Sequence, residues 1–120
     1  MRGRFELDGR QGLYVISVAA RLLDMHPQTL RKYERAGFIV PTRTGGMLRL
    51  YSREDINRLR LIKHLVENLG LNLSGIELVL GVARKLLELQ ESLFALKERD
   101  ELYQRVNAVI DEVLQTFGIS

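Results

Sequence analysis

From Val82 to Phe117 the chain contains neither glycine nor proline, and its apolar residues recur at alternating intervals of three and four. The series is Leu86, Leu89, Leu93, Leu96, Asp100, Tyr103, Asn107, Ile110, Leu114 and Phe117, with eight of its ten positions apolar. Such spacing keeps one seam on one side of a helix, as in a coiled coil. The spacing predicts a helix of roughly 30 residues, about 45–50 Å long. A chain this short offers nothing else to cover that seam, so a second copy is expected. Residues 83–120 are therefore read as a coiled-coil dimerisation helix, with Leu86, Leu89, Leu93, Leu96, Tyr103, Ile110 and Leu114 at the homodimer seam. The alternative is intramolecular: a bend near Glu98-Arg99-Asp100-Glu101 would fold the end back. Asp100 and Asn107, the polar seam positions, either fix register or mark a break. A second stripe, Leu102, Val106, Val109 and Val113, widens the apolar face there.

Charge divides the chain in the same way. Residues 1–53 carry ten Lys/Arg against four Asp/Glu, a net +6, so the remainder is −3 in a total of +3. A basic head before an acidic, leucine-rich rear suggests polyanion binding joined to assembly. With 120 residues, one small domain plus an appendage is expected. The absence of cysteine excludes disulfides, thiolate zinc sites and thiol redox sensing. His26 and His64 cannot close a structural metal site unaided, and neither metal nor cofactor is expected. The longest apolar run, Leu78 to Ala83, falls far short of the roughly 20 residues a membrane helix needs. The start, Met1-Arg-Gly-Arg-Phe-Glu, has no apolar signal core, so a cytoplasmic protein without a membrane partner is expected.

Within the head, residues 1–12 read as a flexible tail, with three glycines and almost nothing apolar. Ser17 suits an N-cap, and Val18, Ala19, Leu22 and Leu23 recur at helical spacing. That helix should end near Asp24-Met25-His26, because Pro27 disfavours helical geometry before it and suits the first turn of the next helix. The second helix runs from Pro27 to about Ala36, with Gly37 as its stop. Leu30 should face the first helix. Gln28, Thr29, Arg31, Lys32 and Arg35 fill the rest of the circumference, the residue types that read base edges and grip phosphates. A merely solvated polar face is the bland alternative.

After Phe38-Ile39-Val40-Pro41, two short strands flank Gly45-Gly46. Leu48 and Leu50 should share one face, and Met47, Arg49 and Tyr51 the other. Arg43 and Arg49 stand on the two legs. A helix-turn-helix followed by such a hairpin is a winged helix, placed at residues 13–82 of a mainly α chain. Ser52-Arg53-Glu54-Asp55 reads as a capping box opening a third helix (Ile56, Leu59, Ile62, Lys63, Val66) that ends at Leu69-Gly70. Ser74-Gly75-Ile76-Glu77 opens a fourth.

Ile16-Ser-Val-Ala-Ala, His26-Pro-Gln-Thr-Leu-Arg-Lys-Tyr-Glu-Arg-Ala-Gly37, Pro41-Thr-Arg, Arg49-Leu-Tyr-Ser-Arg-Glu-Asp55, Ile62 and Leu73-Ser-Gly-Ile76 together resemble the MerR-family winged-helix pattern over about residues 14–82. His-Pro-Gln-Thr-Leu-Arg is particularly similar to the HspR-like branch, the heat-shock repressors of chaperone operons. The resemblance implies a bacterial, nucleoid-associated dimer, joined by an antiparallel coiled coil, on an inverted-repeat operator in double-stranded DNA. It implies contacts to DNA from Gln28, Thr29, Arg31, Lys32 and Tyr33 on the recognition helix, and from Arg43 and Arg49 on the wing. It also implies the DnaK chaperone as co-repressor. Three departures stand out. Asp24 replaces the usual turn glycine, and aspartate tolerates left-handed geometry. Lys32-Tyr33 stands where many members carry two aromatics. No effector-binding domain follows the seam in this sequence, so the signal is expected through a partner or through heat acting on a marginal dimer.

The leading expectation is thus a sequence-specific DNA-binding repressor of heat-shock genes. The alternatives are a MerR-type activator of other genes, an architectural or recombination DNA-binding protein, and a coiled-coil interaction module. An enzyme is the least supported class. Glu34, Asp55 and His64 accompany neither a nucleophile beside a base nor a phosphate-cradling loop, and read as capping, helix-surface and salt-bridge residues.

Overall fold

The computed structural model describes residues 9–46, 48–96 and 100–119. Among them the order is β1 (Gly12–Val15), α1 (Ile16–Leu23), α2 (Pro27–Arg35), β2 (Thr42–Arg43), β3 (Arg49–Ser52), α3 (Arg53–Glu67), α4 (Leu73–Phe94) and α5 (Glu101–Thr116). The chain divides into two compact units, one ending at Lys63 and the other beginning at His64, so the division falls within α3.

In the first unit, Asp24 makes the sharp turn between α1 and α2. Its backbone is left-handed (φ 51°, ψ 51°), the geometry for which aspartate was expected to stand in for glycine. Carbonyls at the C-terminal end of α1 and in its cap are met from α3: Lys63 Nζ donates to the Leu23 and Asp24 carbonyls at 2.8 and 3.2 Å. The expected Ser17 cap is not formed; Val15 holds the N-cap position without a side-chain bond, because β1 runs directly into α1. Ala19, Ala20 and Leu23 of α1 are buried together with Leu30 and Tyr33 of α2, Phe38, Ile39, Tyr51, Ile56, Leu59 and Ile62.

The wing forms as expected between β2 and β3, and Met47 of its turn lies outside the described residues. A third strand was not expected. β1 pairs antiparallel with β3 on the side opposite β2, giving the order β1-β3-β2. Of the tail predicted over 1–12, residues 1–8 lie outside the described set. Gly12, read as the end of that tail, instead begins the strand, and the Gly9 carbonyl accepts from Glu54 N–H. A side chain at position 12 would place its Cβ 2.8 Å from Leu50 Cβ, so this strand edge needs glycine. The capping box forms in both directions: Ser52 Oγ accepts from Asp55 N–H at 3.0 Å, and Asp55 Oδ2 from Ser52 N–H at 2.9 Å.

The second unit corrects the single long helix expected over 83–120. α4 starts at Leu73, under an Asn72 cap whose side chain accepts from Gly75 N–H, and ends at Phe94. α5 begins at Glu101 with Asp100 as its N-cap, Oδ1 accepting from Tyr103 N–H at 3.1 Å. The polar seam residue Asp100 therefore marks a break. The other, Asn107, accepts from Gln90 Nε2 at 3.1 Å, and Asp111 accepts from the same amide at 2.7 Å. Around that pairing Ala83, Ile110 and Leu114 form a buried cluster with Leu86, Leu93, Val106 and Ile119. The intramolecular alternative is the one realised for these residues. Four of the seven expected homodimer positions, Leu86, Leu93, Ile110 and Leu114, pack within the chain, while Leu89 and Leu96 stay exposed and Tyr103 is half-buried.

Candidate nucleic-acid interface

α2 is set by its N-cap, His26, and its first residue, Pro27. Pro27 occupies the first turn, and His26 Nδ1 accepts from Gln28 N–H at 3.0 Å, meeting one of the donors that the helix start leaves open. The helix then has an inner and an outer side. Leu30 and Tyr33, one turn apart, point into the core. Gln28, Lys32 and Arg35, spaced by four and three, are all exposed along one outer face, with Thr29 and Arg31 half-buried at its margins. The helix thus brings together five of the six expected recognition-helix contacts.

Tyr33 is the exception. It is 5 % exposed and packs on Phe38, with ring centroids 6.2 Å apart. The resemblance placed it at the interface, but its spacing from Leu30 places it in the core. Its ring holds the recognition helix in position from beneath.

The wing arginines sit beside this face in a specific arrangement. Arg43 and Arg49 are direct cross-strand partners in the β2–β3 ladder. Like charges so placed destabilise a strand pair. Glu34 of α2 offsets this: its Oε2 accepts from Arg43 Nη2 at 2.8 Å and its Oε1 from Arg49 Nε at 2.6 Å. The three side chains are partly buried, at 18 % exposure for Glu34, 35 % for Arg43 and 28 % for Arg49. Partial burial raises the worth of such a pair above that of a fully solvated one. Sequence reasoning placed Glu34 among structural salt-bridge residues without assigning its partners. The available signal was its isolation, since it is the sole acid between Asp24 and Glu54.

Under the wing lies Tyr51, fully buried, its hydroxyl without a hydrogen-bond partner among the described residues. Burial, reinforced by the Glu34 carboxylate, pushes this phenol above its ordinary value of 10.0, against opposing contributions from Arg49 and Arg31. Among the described residues no three His, Cys, Asp or Glu side chains converge to hold a metal ion. No helix among them is long and apolar enough to cross a membrane.

A turn set by Asp24, a polar recognition helix and a three-stranded wing define the first unit as a winged helix-turn-helix domain. The profile of MerR HTH family regulatory proteins matches residues 14–81, and the chain belongs to that family. It is 45 % identical over 89 residues to a Streptomyces coelicolor protein given the name heat shock protein HspR, covering 74 % of this chain and 59 % of that protein. It is 41 % identical over 70 residues to the HTH-type transcriptional regulator MlrA of Escherichia coli K12, covering 58 % of this chain and 28 % of that one. The Bacillus subtilis HTH-type transcriptional regulator YfmP is 32 % identical over 114 residues, covering 85 % of this chain and 81 % of that protein. The chain thus spans little more than half of the HspR relative and under a third of MlrA.

Proposed function

We propose that this chain is a sequence-specific, DNA-binding transcriptional regulator, acting as a dimeric repressor of heat-shock or chaperone genes at an inverted-repeat operator. The observation that carries the reading is the single outer face of Gln28, Lys32 and Arg35 beside wing arginines fixed by Glu34. Its assignment to heat-shock genes rests on the likeness to HspR. In this reading Gln28 and Arg31 meet base edges, Thr29 assists them, and Lys32, Arg35, Arg43 and Arg49 grip phosphates. Residues 13–82 bind DNA, and the segment from residue 83 joins two copies. Because Leu86, Leu93, Ile110 and Leu114 are taken up within the chain, the joining surface draws on exposed Leu89, Leu96, Leu102, Val109 and Val113. Such a regulator works in the bacterial cytoplasm, at the nucleoid. The DnaK chaperone is the proposed co-repressor, carried by the same likeness to HspR.

Selection of bound duplexes from random DNA tests this reading, and an enriched inverted repeat is the expected result. Gln28→Ala and Arg31→Ala should then change the preferred sequence, each losing about 1–3 kcal/mol of discrimination. Lys32→Ala should weaken all sequences and flatten the salt dependence. Recovery of no common sequence would overturn the reading. Uniform loss across these variants would overturn the division between base and phosphate contacts. Added DnaK should tighten operator binding in the same gel-shift series, and unfolded protein should reverse it; binding indifferent to DnaK removes the co-repressor.

A further inference from the structure

Glu34 works against affinity. A carboxylate beside a phosphate backbone repels it, and it cancels one charge on a face whose pull on any duplex comes from cations. Yet this is the residue through which the recognition helix holds both legs of the wing. Without it, Arg43 and Arg49 would oppose each other across the ladder with no α2 carboxylate between them. Each guanidinium would then lose the bond that ties it to the recognition helix. Phosphate contacts carry no sequence information themselves, but they fix the register in which a recognition helix meets base edges. Wing arginines that roam would serve every register alike.

The geometry points to Glu34 as a specificity-determining residue, a positioning group that lowers binding to arbitrary DNA and keeps Arg43 and Arg49 in the one arrangement that suits the operator. The inference rests on the operator-reading function proposed above. Its two parts, charge and geometry, separate experimentally. Glu34→Gln removes the charge and keeps the length. Glu34→Asp keeps the charge on a shorter side chain that cannot span both arginines.

The test measures binding of the full chain and both variants to the duplex enriched by selection and to a random duplex, across a salt series, with thermal unfolding alongside. Glu34→Gln should bind random DNA about three- to tenfold more tightly, with its log–log salt slope steeper by about one unit. Its preference for the selected duplex over the random one should fall about tenfold or more. Glu34→Asp should lose a comparable part of that preference while its salt slope stays native. Variants that keep the native preference overturn the proposal. So does an equal loss on both duplexes with an unchanged slope, which assigns Glu34 to folding alone; if Glu34→Gln does not fold, the Glu34→Asp preference decides. Failure of the native chain to enrich any sequence would instead remove the function on which the inference rests.

Discussion

A phenol sealed in the core with its hydroxyl unpaired among the described residues is an expensive arrangement, and Tyr51 is in that state. An unmet buried polar group carries a desolvation penalty that an apolar replacement of the same shape avoids. Tyr51→Phe should therefore leave stability near neutral pH unchanged or raise it by about 1 kcal/mol, read from urea unfolding. The sign of its pH dependence follows from the upward shift. Folding favours the neutral phenol, so this contribution is complete below 10.0, the value of the unfolded chain, and is lost as pH rises through the higher folded value. The native chain should lose stability in that alkaline range, and the phenylalanine variant should lose correspondingly less. A variant less stable than native by more than about 1 kcal/mol would mean that the hydroxyl has a partner after all.

Elements were legible in the sequence wherever their determinants are local. Pro27 and Asp24 set the turn, Ser52 and Asp55 cap α3 reciprocally, and Thr42–Arg43 and Arg49–Ser52 flank a glycine pair. The outer face of α2 was legible for the same reason, since helical spacing alone sorts Gln28, Lys32 and Arg35 from Leu30. Two elements were not. β1 owes its existence to β3, some forty residues away in sequence, and nothing within Gly12–Val15 announces that partner. The break before α5 was visible only as an ambiguity. Asp100 at a seam position is equally a register residue and a cap, and the choice depends on whether α4 and α5 bury each other's apolar faces. That ambiguity makes Asp100 a useful probe. Asp100→Ala removes the cap and should cost about 1 kcal/mol, with loss of helical ellipticity as α5 frays. Unchanged thermal unfolding would show that the cluster of Ala83, Ile110 and Leu114 holds α5 without its cap.

Across the whole chain, exposed large apolar side chains are unevenly spread. Leu22, Val40 and Leu48 lie before Lys63, whereas Leu78, Leu89, Phe94, Leu96, Leu102 and Val109 are among many that follow His64. A polar winged domain can stand alone with that little exposed, but the second unit keeps an apolar surface even after α4 and α5 have packed together. This is the surface on which the proposed dimer can draw once the continuous seam is gone. Leu89 and Leu96 test it, because at 45 % and 53 % exposure they contribute little to the core of the single chain. In a twofold dimer each substitution acts twice. If the four leucines are buried between the copies, the half of each side chain that is still exposed is worth about 0.7 kcal/mol or more. Leu89→Glu with Leu96→Glu should then weaken self-association at least about a hundredfold, measured by sedimentation equilibrium, while helical content stays native. Operator affinity should fall with it, since two heads on one dimer share an effective concentration that separate heads lack. The thermal midpoint of the native chain should rise with protein concentration, and that of the double variant should not. A double variant as dimeric as the native protein would place the joining surface elsewhere, on the stripe of Leu102, Val109 and Val113, and a native chain that sediments as a monomer would remove the proposed dimer.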